Sequence, residues 1–143
     1  MQKKKGFTLV ELMVVVTLIV ILSSILLFTV SYYINRSKDS NIMGNLSILT
    51  AAGEVYYTGP GRNSYGIGEE NFCNSNVVDN AFSQIPPLSY HFCKVNDSGD
   101  KWAACAHLFV DKEKAFCVDS RGVKEDIDED DCNIDIIECP TIP

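Results

Sequence analysis

The sequence predicts an α+β protein: one long N-terminal helix packed against a small three- to four-stranded antiparallel sheet. Three observations carry this. Residues 12–34 are 23 consecutive positions without charge or proline, residues 35–58 continue with apolar residues at near-helical intervals, and from Leu88 onward short apolar runs alternate with turn-forming clusters. At 1.5 Å per residue the first segment makes a helix of roughly 35 Å, enough for a hydrocarbon core of about 30 Å.

Ahead of that run stand Lys3, Lys4 and Lys5, then Gly6, Phe7, Thr8, Leu9, Val10 and Glu11. The lysines would hold the N-terminus in the cytoplasm and send the remainder outward. The apolar stretch is too long for a secretory signal peptide, and no small-residue cleavage site follows it. A plain signal anchor explains the topology. It explains neither a glycine directly after the lysines nor Glu11 at the mouth of the apolar run, where a lone carboxylate needs a partner or a proton. A proton relay is disfavoured, because no second ionisable residue lies between Leu12 and Ile34.

Residues 3–13, KKKGFTLVELM, resemble the prepilin leader and N-methylation motif of type IV pilins and pseudopilins. The resemblance implies cleavage between Gly6 and Phe7 by a prepilin peptidase, methylation of Phe7 as the new N-terminus, and a partnership between Glu11 and the N-terminal amine of a neighbouring subunit. It also implies a ladle-like pilin architecture, homo- or hetero-oligomers with other pilin subunits, and an inner-membrane assembly platform as partner. The chain would start as a single-pass inner-membrane protein with its head outside and end in an extracellular or periplasmic filament. The implied division is a leader at 1–6, a transmembrane and polymerisation helix at 7–34, an amphipathic outer half at 35–58, and a disulfide-linked head with an acidic C-terminal region at 59–143. One departure from many pilins is the absence of proline at position 28, the twenty-second residue of the implied mature chain. Ser23, Ser24 and Thr29 are candidates instead to bond back to the helix or to permit close packing.

In residues 35–58, Ile42, Leu46, Leu49 and Val55 are expected to form one apolar stripe, and Gly44 is a candidate bend. The segment from Thr58 to Gly68, rich in glycine with one proline, ends the helix. A short helix is expected near Val77–Phe82, stopped by Pro86-Pro87. Strands are expected at Leu88–Val95, Trp102–Val110 and Ala115–Asp119, with Trp102, Leu108, Val110, Phe116 and Val118 facing the helix.

Six cysteines, Cys73, Cys93, Cys105, Cys117, Cys132 and Cys139, all follow the apolar segment. An even number in a small extracytoplasmic domain favours disulfides, and six allow 15 pairings. The 12-residue spacing of Cys93, Cys105 and Cys117 places them near one another across a meander, with at least one reaching Cys73 or the tail. Cys132 and Cys139 could close a small C-terminal loop. No Cys-x-x-Cys pair supports zinc.

The precursor carries 12 basic and 19 acidic side chains, a balance of −7. Without the leader lysines nine basic groups remain, and the balance is −10. Direct nucleic-acid binding by the lone subunit is not expected from such a chain. Six of the seven residues from Glu125 to Asp131 are acidic. They read first as a solvated, flexible loop and second as a calcium site with Asp126, Asp128, Asp130 and Asp131 as candidate ligands, although the spacing lacks the EF-hand pattern and its glycine. His91 and His107 fall in expected strands without a neighbouring nucleophile in sequence, and nothing points to an enzyme or another cofactor. Two function classes follow: a structural subunit of a type IV pilus or pseudopilus, or a monomeric single-pass anchored domain that binds or signals outside the membrane.

Overall fold

The structure, a computed structural model, describes residues 6–140, without the side chains of Leu27 and Phe28. Lys3, Lys4 and Lys5 lie outside the described residues. The chain divides into two compact units, Met1–Ile34 and Asn35–Pro143. Helix α1 runs Leu9–Thr58 as one unbroken element, passing Gly44 and position 28 without interruption. It is followed by a small hairpin, β1 (Gly66–Ile67) and β2 (Glu70–Asn71), and by helix α2 (Asn76–Ser83). A four-stranded antiparallel sheet comes last, in the order β3 (His91–Val95), β4 (Trp102–His107), β5 (Lys114–Asp119), β6 (Lys124–Asp128). The result is the predicted α+β class.

Helix α1 stops where Gly59 and Pro60 follow it, and the chain doubles back through Arg62 and Asn63 at positive φ. Gly61 is required there, because a Cβ would stand 1.8 Å from the Ser64 carbonyl oxygen. The tiny β1–β2 hairpin in this turn region was not foreseen; two-residue strands carry no periodic signal.

Within the second unit, strand alternation gives the sheet two buried faces. Register pairs Cys105 with Phe92 and Cys117, and Ala104 with Cys93 and Val118. One face, with Trp102, Ala104, Ala106, Phe116 and Val118, packs on Ile42, Leu46 and Leu49 of α1. The other, with Ala103, Cys105, Ala115, Cys117 and Ile127, is covered by Cys132, Ile136 and Cys139. Alanine at 103, 104 and 106 suits β4, the strand squeezed from both sides. Trp102 anchors the helix-side core: its ring centroid lies 4.7 Å from Phe72 and 6.2 Å from Tyr65. Gly53 of α1 makes room for it, since a Cβ there would meet Trp102 Nε1 at 2.8 Å.

Three expectations about this core need correcting. Val55 is 68% exposed, because the buried stripe passes through Gly53 instead. Val110 is 43% exposed, since β4 ends at His107 and the chain turns away. Leu88–Tyr90 is not strand: Ser89 N–H bonds Pro86 O at 3.3 Å, and Leu88 takes a positive φ of 79°.

The disulfides are Cys73–Cys93, Cys105–Cys132 and Cys117–Cys139. Cys132 and Cys139 therefore close no loop with each other. Cys105 and Cys117 are register neighbours on the tail-side face, yet each reaches outward to the tail and ties it across the sheet. Cys93 projects from the opposite face and takes Cys73. The acidic run is not a flexible loop either. Its first part is strand β6, with Ile127 turned inward and Asp126 and Asp128 outward.

A buried carboxylate completes the fastening of the tail. Asp119, fully buried, accepts from Arg121 N–H at 2.9 Å, Arg121 Nε at 2.9 Å, Val123 N–H at 3.3 Å and Cys139 N–H at 3.0 Å. Arg121 Nη2 bridges Asp119 at 2.5 Å and the Cys139 carbonyl at 2.7 Å. The hydrogen-bonded Asp119 carboxylate holds the Arg121 guanidinium above its usual pKa. Arg121 is 37% exposed and can return to water, so the cost of losing Asp119 falls on the backbone amides it leaves unpaired, about 1–3 kcal/mol. Asp119→Ala is expected to destabilise the disulfide-intact protein by that order in denaturant unfolding, and an unchanged midpoint would refute the clamp. Non-reducing peptide mapping is expected to recover the three bridges named above and no peptide joining Cys132 to Cys139.

Candidate functional site

The candidate site is the N-terminal segment from Gly6 to the end of the apolar run. Thr8 and Glu11 form a capping box at the start of α1. Thr8 N–H and Thr8 Oγ1 both donate to Glu11 Oε2 at 2.8 Å, and Glu11 N–H donates to Thr8 Oγ1 at 3.3 Å. Two of the amides that a helix start leaves without partners are satisfied in this way. The signal is Thr8-x-x-Glu11, visible in the sequence but overshadowed there by the question of who neutralises Glu11.

Gly6 meets no steric demand among the described residues. Nothing lies within 4 Å of where its Cβ would stand. Phe7 beside it is 78% exposed.

Helix α1 is apolar on every side along the first unit. Leu9, Val10, Leu12, Met13 and the aliphatic residues up to Ile34 whose side chains are described are all exposed. By length and composition this helix can cross a membrane, and its most apolar window is 0% buried within the chain. Three of its hydroxyls are bonded back to the helix. Thr17 Oγ1 donates to Met13 O at 2.8 Å, Ser24 Oγ to Ile21 O at 2.7 Å and Thr29 Oγ1 to Ile25 O at 2.8 Å. Such bonds remove the cost of an unpaired polar group in hydrocarbon. Ser24 and Thr29 were expected to behave so; Thr17 was not singled out. Tyr32 and Tyr33 close the run, in edge contact at 5.9 Å, where interfacial aromatic residues belong.

The family model for the prokaryotic N-terminal methylation motif matches residues 1–27. The match covers the N-terminal motif alone and supports a type IV pilin-like reading of that segment. The motif implies processing by a prepilin peptidase and assembly with other pilin subunits, and with the apolar helix it indicates a membrane-anchored precursor. No curated protein and no solved structure matches the chain.

The head holds two histidines and an acidic run. His107 Nδ1 faces Glu129 Oε1 at 3.2 Å and its Nε2 faces the Cys132 carbonyl at 3.4 Å. Nearby Ser89 Oγ donates to the His107 carbonyl at 2.7 Å, so its hydroxyl is engaged with backbone and not with the imidazole. His91 lies in β3 with its ring 4.4 Å from Phe82, a packing contact. The four calcium candidates are not gathered into one site. Asp128 is taken by Lys114 Nζ at 2.5 Å, which raises the Lys114 pKa, and among the described residues no group of three or more His, Cys, Asp or Glu could hold a metal ion. Asp126 is an outward strand residue, and Asp130 and Asp131 belong to the 3-10 turn after β6.

The capping box yields a direct prediction. Thr8→Ala should cost about 1 kcal/mol of capping and speed amide hydrogen exchange at residues 8–11 in detergent, with Thr8→Ser restoring protection. Equal exchange in Thr8→Ala and wild type would remove the local role of Thr8.

Proposed function

We propose that the chain is a structural subunit of a type IV pilus or related pseudopilus. Residues 1–6 are removed, Phe7 becomes the N-terminus, and the helix of residues 7–34 packs among those of neighbouring subunits while residues 59–143 are displayed outside. The observation that carries this reading is Glu11: a single carboxylate at the mouth of an uncharged, unburied helix, five positions into the chain that cleavage would leave.

Cleavage after Gly6 would release the three lysines and create an α-amine one residue before the helix cap. That positive charge is unfavourable beside the positive end of the helix dipole, and Glu11 offsets both. In a packed bundle the amine of one subunit and the Glu11 of another each need company. The pair serves as a register device, because a subunit that docks without it leaves a buried charge alone. Thr8 keeps Glu11 hydrogen-bonded before a neighbour arrives. Prepilin peptidase and an inner-membrane assembly platform are the implied partners. Three disulfides fit a head outside the cytoplasm. A monomeric anchor would need neither Gly6 nor Glu11.

Two measurements test the reading. Mass spectrometry of assembled protein should find Phe7 as the N-terminal residue; intact residues 1–6 in functional filaments would overturn the proposal. Glu11→Ala and Glu11→Gln should insert and be cleaved normally, since each makes the segment easier to place in lipid. Their ratio of filament-incorporated to membrane-retained subunit after shearing should fall at least about tenfold, a lower bound on the effect of about 3–5 kcal/mol for one unpaired buried charge. Wild-type incorporation would show that Glu11 is not the register element.

A further inference from the structure

Within the second unit, one cavity gathers chemistry that neither the helix cap nor the core uses. It measures about 450 Å³ and lies between Asn35 and Lys38 of α1, Leu88 and Tyr90 ahead of β3, and Phe109 and Lys112 of the loop after β4. Asp39 fastens that loop to α1, its carboxylate accepting the Phe109 and Val110 amides at 2.6 and 3.0 Å. Phe109 thereby lies under Lys38, whose Nζ is 4.5 Å from the ring centroid. The ring attracts the ammonium and holds it beside the cavity.

Charge and exposure both mark this place. Lys94, Lys101, Lys114 and Arg121 are matched by Asp135, Glu138, Asp128 and Asp119. Lys38 and Lys112 stand in no ion pair among the described residues. Glu129, also at the cavity, is turned to His107 Nδ1 at 3.2 Å. Two unmatched cations at one cavity, on a mature chain with a balance of −10, suit an anion. The rim is apolar, which a small soluble anion would not need: Leu88 is 92% and Tyr90 71% exposed. Leu88 is held there at a φ of 79°, a region unfavourable for leucine. The backbone beside it is tied down, with Ser89 Oγ donating to the His107 carbonyl at 2.7 Å and His107 N–H to the Tyr90 carbonyl at 2.9 Å.

We propose that this cavity and its rim dock on the membrane surface. An anionic phospholipid headgroup sits between Lys38 and Lys112, while Leu88 and Tyr90 enter the boundary between headgroups and acyl chains. Position in the sequence supports this occupant. Lys38 follows Ile34, the end of the apolar run, by four residues, a rise of about 6 Å on a helix. The headgroup layer on each side of a bilayer is roughly 5–8 Å deep. A lysine with its stem on an apolar ring and an exposed tyrosine are the residues that settle at that level. The inference needs the membrane anchor and not the filament, so it goes beyond the assembly reading and holds for a monomeric anchor as well.

The test places the full-length chain in vesicles of phosphatidylglycerol or of phosphatidylcholine and follows lysine acetylation by mass spectrometry. Lys38 and Lys112 should react at least about fivefold more slowly in phosphatidylglycerol, the effect of roughly one lysine's attraction to an anionic surface. Lys94 and Lys101, already paired, should not change. In a Tyr90→Trp chain, bromines placed near the headgroup end of the acyl chains should quench the new indole in phosphatidylglycerol, with buried Trp102 as a constant background. Adding Lys38→Gln and Lys112→Gln should remove most of that quenching while the disulfide map stays unchanged. Equal lysine reactivity in the two lipids, or quenching indifferent to the two lysines, would overturn the proposal. Equal protection by inorganic phosphate added to phosphatidylcholine vesicles would reject lipid in favour of a free anion. Protection in phosphatidylcholine that rises with protein density would reject it in favour of a second copy. None of these measurements requires a filament, so their failure leaves the assembly reading standing, and failure of Glu11 as register element leaves this inference standing.

Discussion

Among the described residues, the apolar half of α1 buries no side chain within its own chain, so every polar group along it must be satisfied locally. The i→i−4 ladder serves the backbone, and Thr17, Ser24 and Thr29 return their hydroxyls to carbonyls of the preceding turn. The helix start is the weak point, since its first amides lack partners and lipid offers none. Thr8 and Glu11 satisfy two of them reciprocally. The same carboxylate that looks costly from sequence is thus doing local work before any neighbour is present.

A helix that cannot be stabilised by burial at one end relies on the head for tertiary stability at the other. The head grips α1 in three ways. Ile42, Leu46 and Leu49 enter the core, Lys124 Nζ donates to the Ser47 carbonyl at 3.1 Å, and the Asp39 carboxylate accepts the amides of Phe109 and Val110 at 2.6 and 3.0 Å. A sheet gripping one helix would leave its second face wet. Here the tail covers that face, and two disulfides with the Asp119–Arg121 bridge hold it there. Ion pairs Lys94–Asp135 at 2.8 Å and Lys101–Glu138 at 3.0 Å are exposed and add little alone.

Legibility in the sequence followed the strength of the periodic signal. The long helix, the even-numbered face of β4 and β5, and the position of α2 could be read because several apolar residues repeat in phase. Strand β6 could not: Ile127 is its one fully inward apolar residue amid acids, and an edge strand needs no more. The tail layer was missed for a related reason. Its burial depends on Ile136 and two half-cystines spaced without period, and connectivity among six cysteines is not encoded in spacing. Val55 was misplaced because Gly53, without a side chain, contributes nothing to a hydrophobic pattern although it is the buried position. At the candidate site the residues themselves were legible, whereas the Thr8 bonds that prepare Glu11 emerged only with geometry.

Glycine without an intrachain steric reason bears on the proposed function. Gly61 and Gly53 are explained by collisions that any Cβ would suffer. Gly6 and Gly44 meet nothing. Gly44 has no left-handed backbone to explain it, and α1 would be better served by alanine there. A residue that the fold does not need is best explained by something that approaches the fold. At Gly6 the approaching group would be a peptidase cutting beside Phe7, the step on which the proposed function depends.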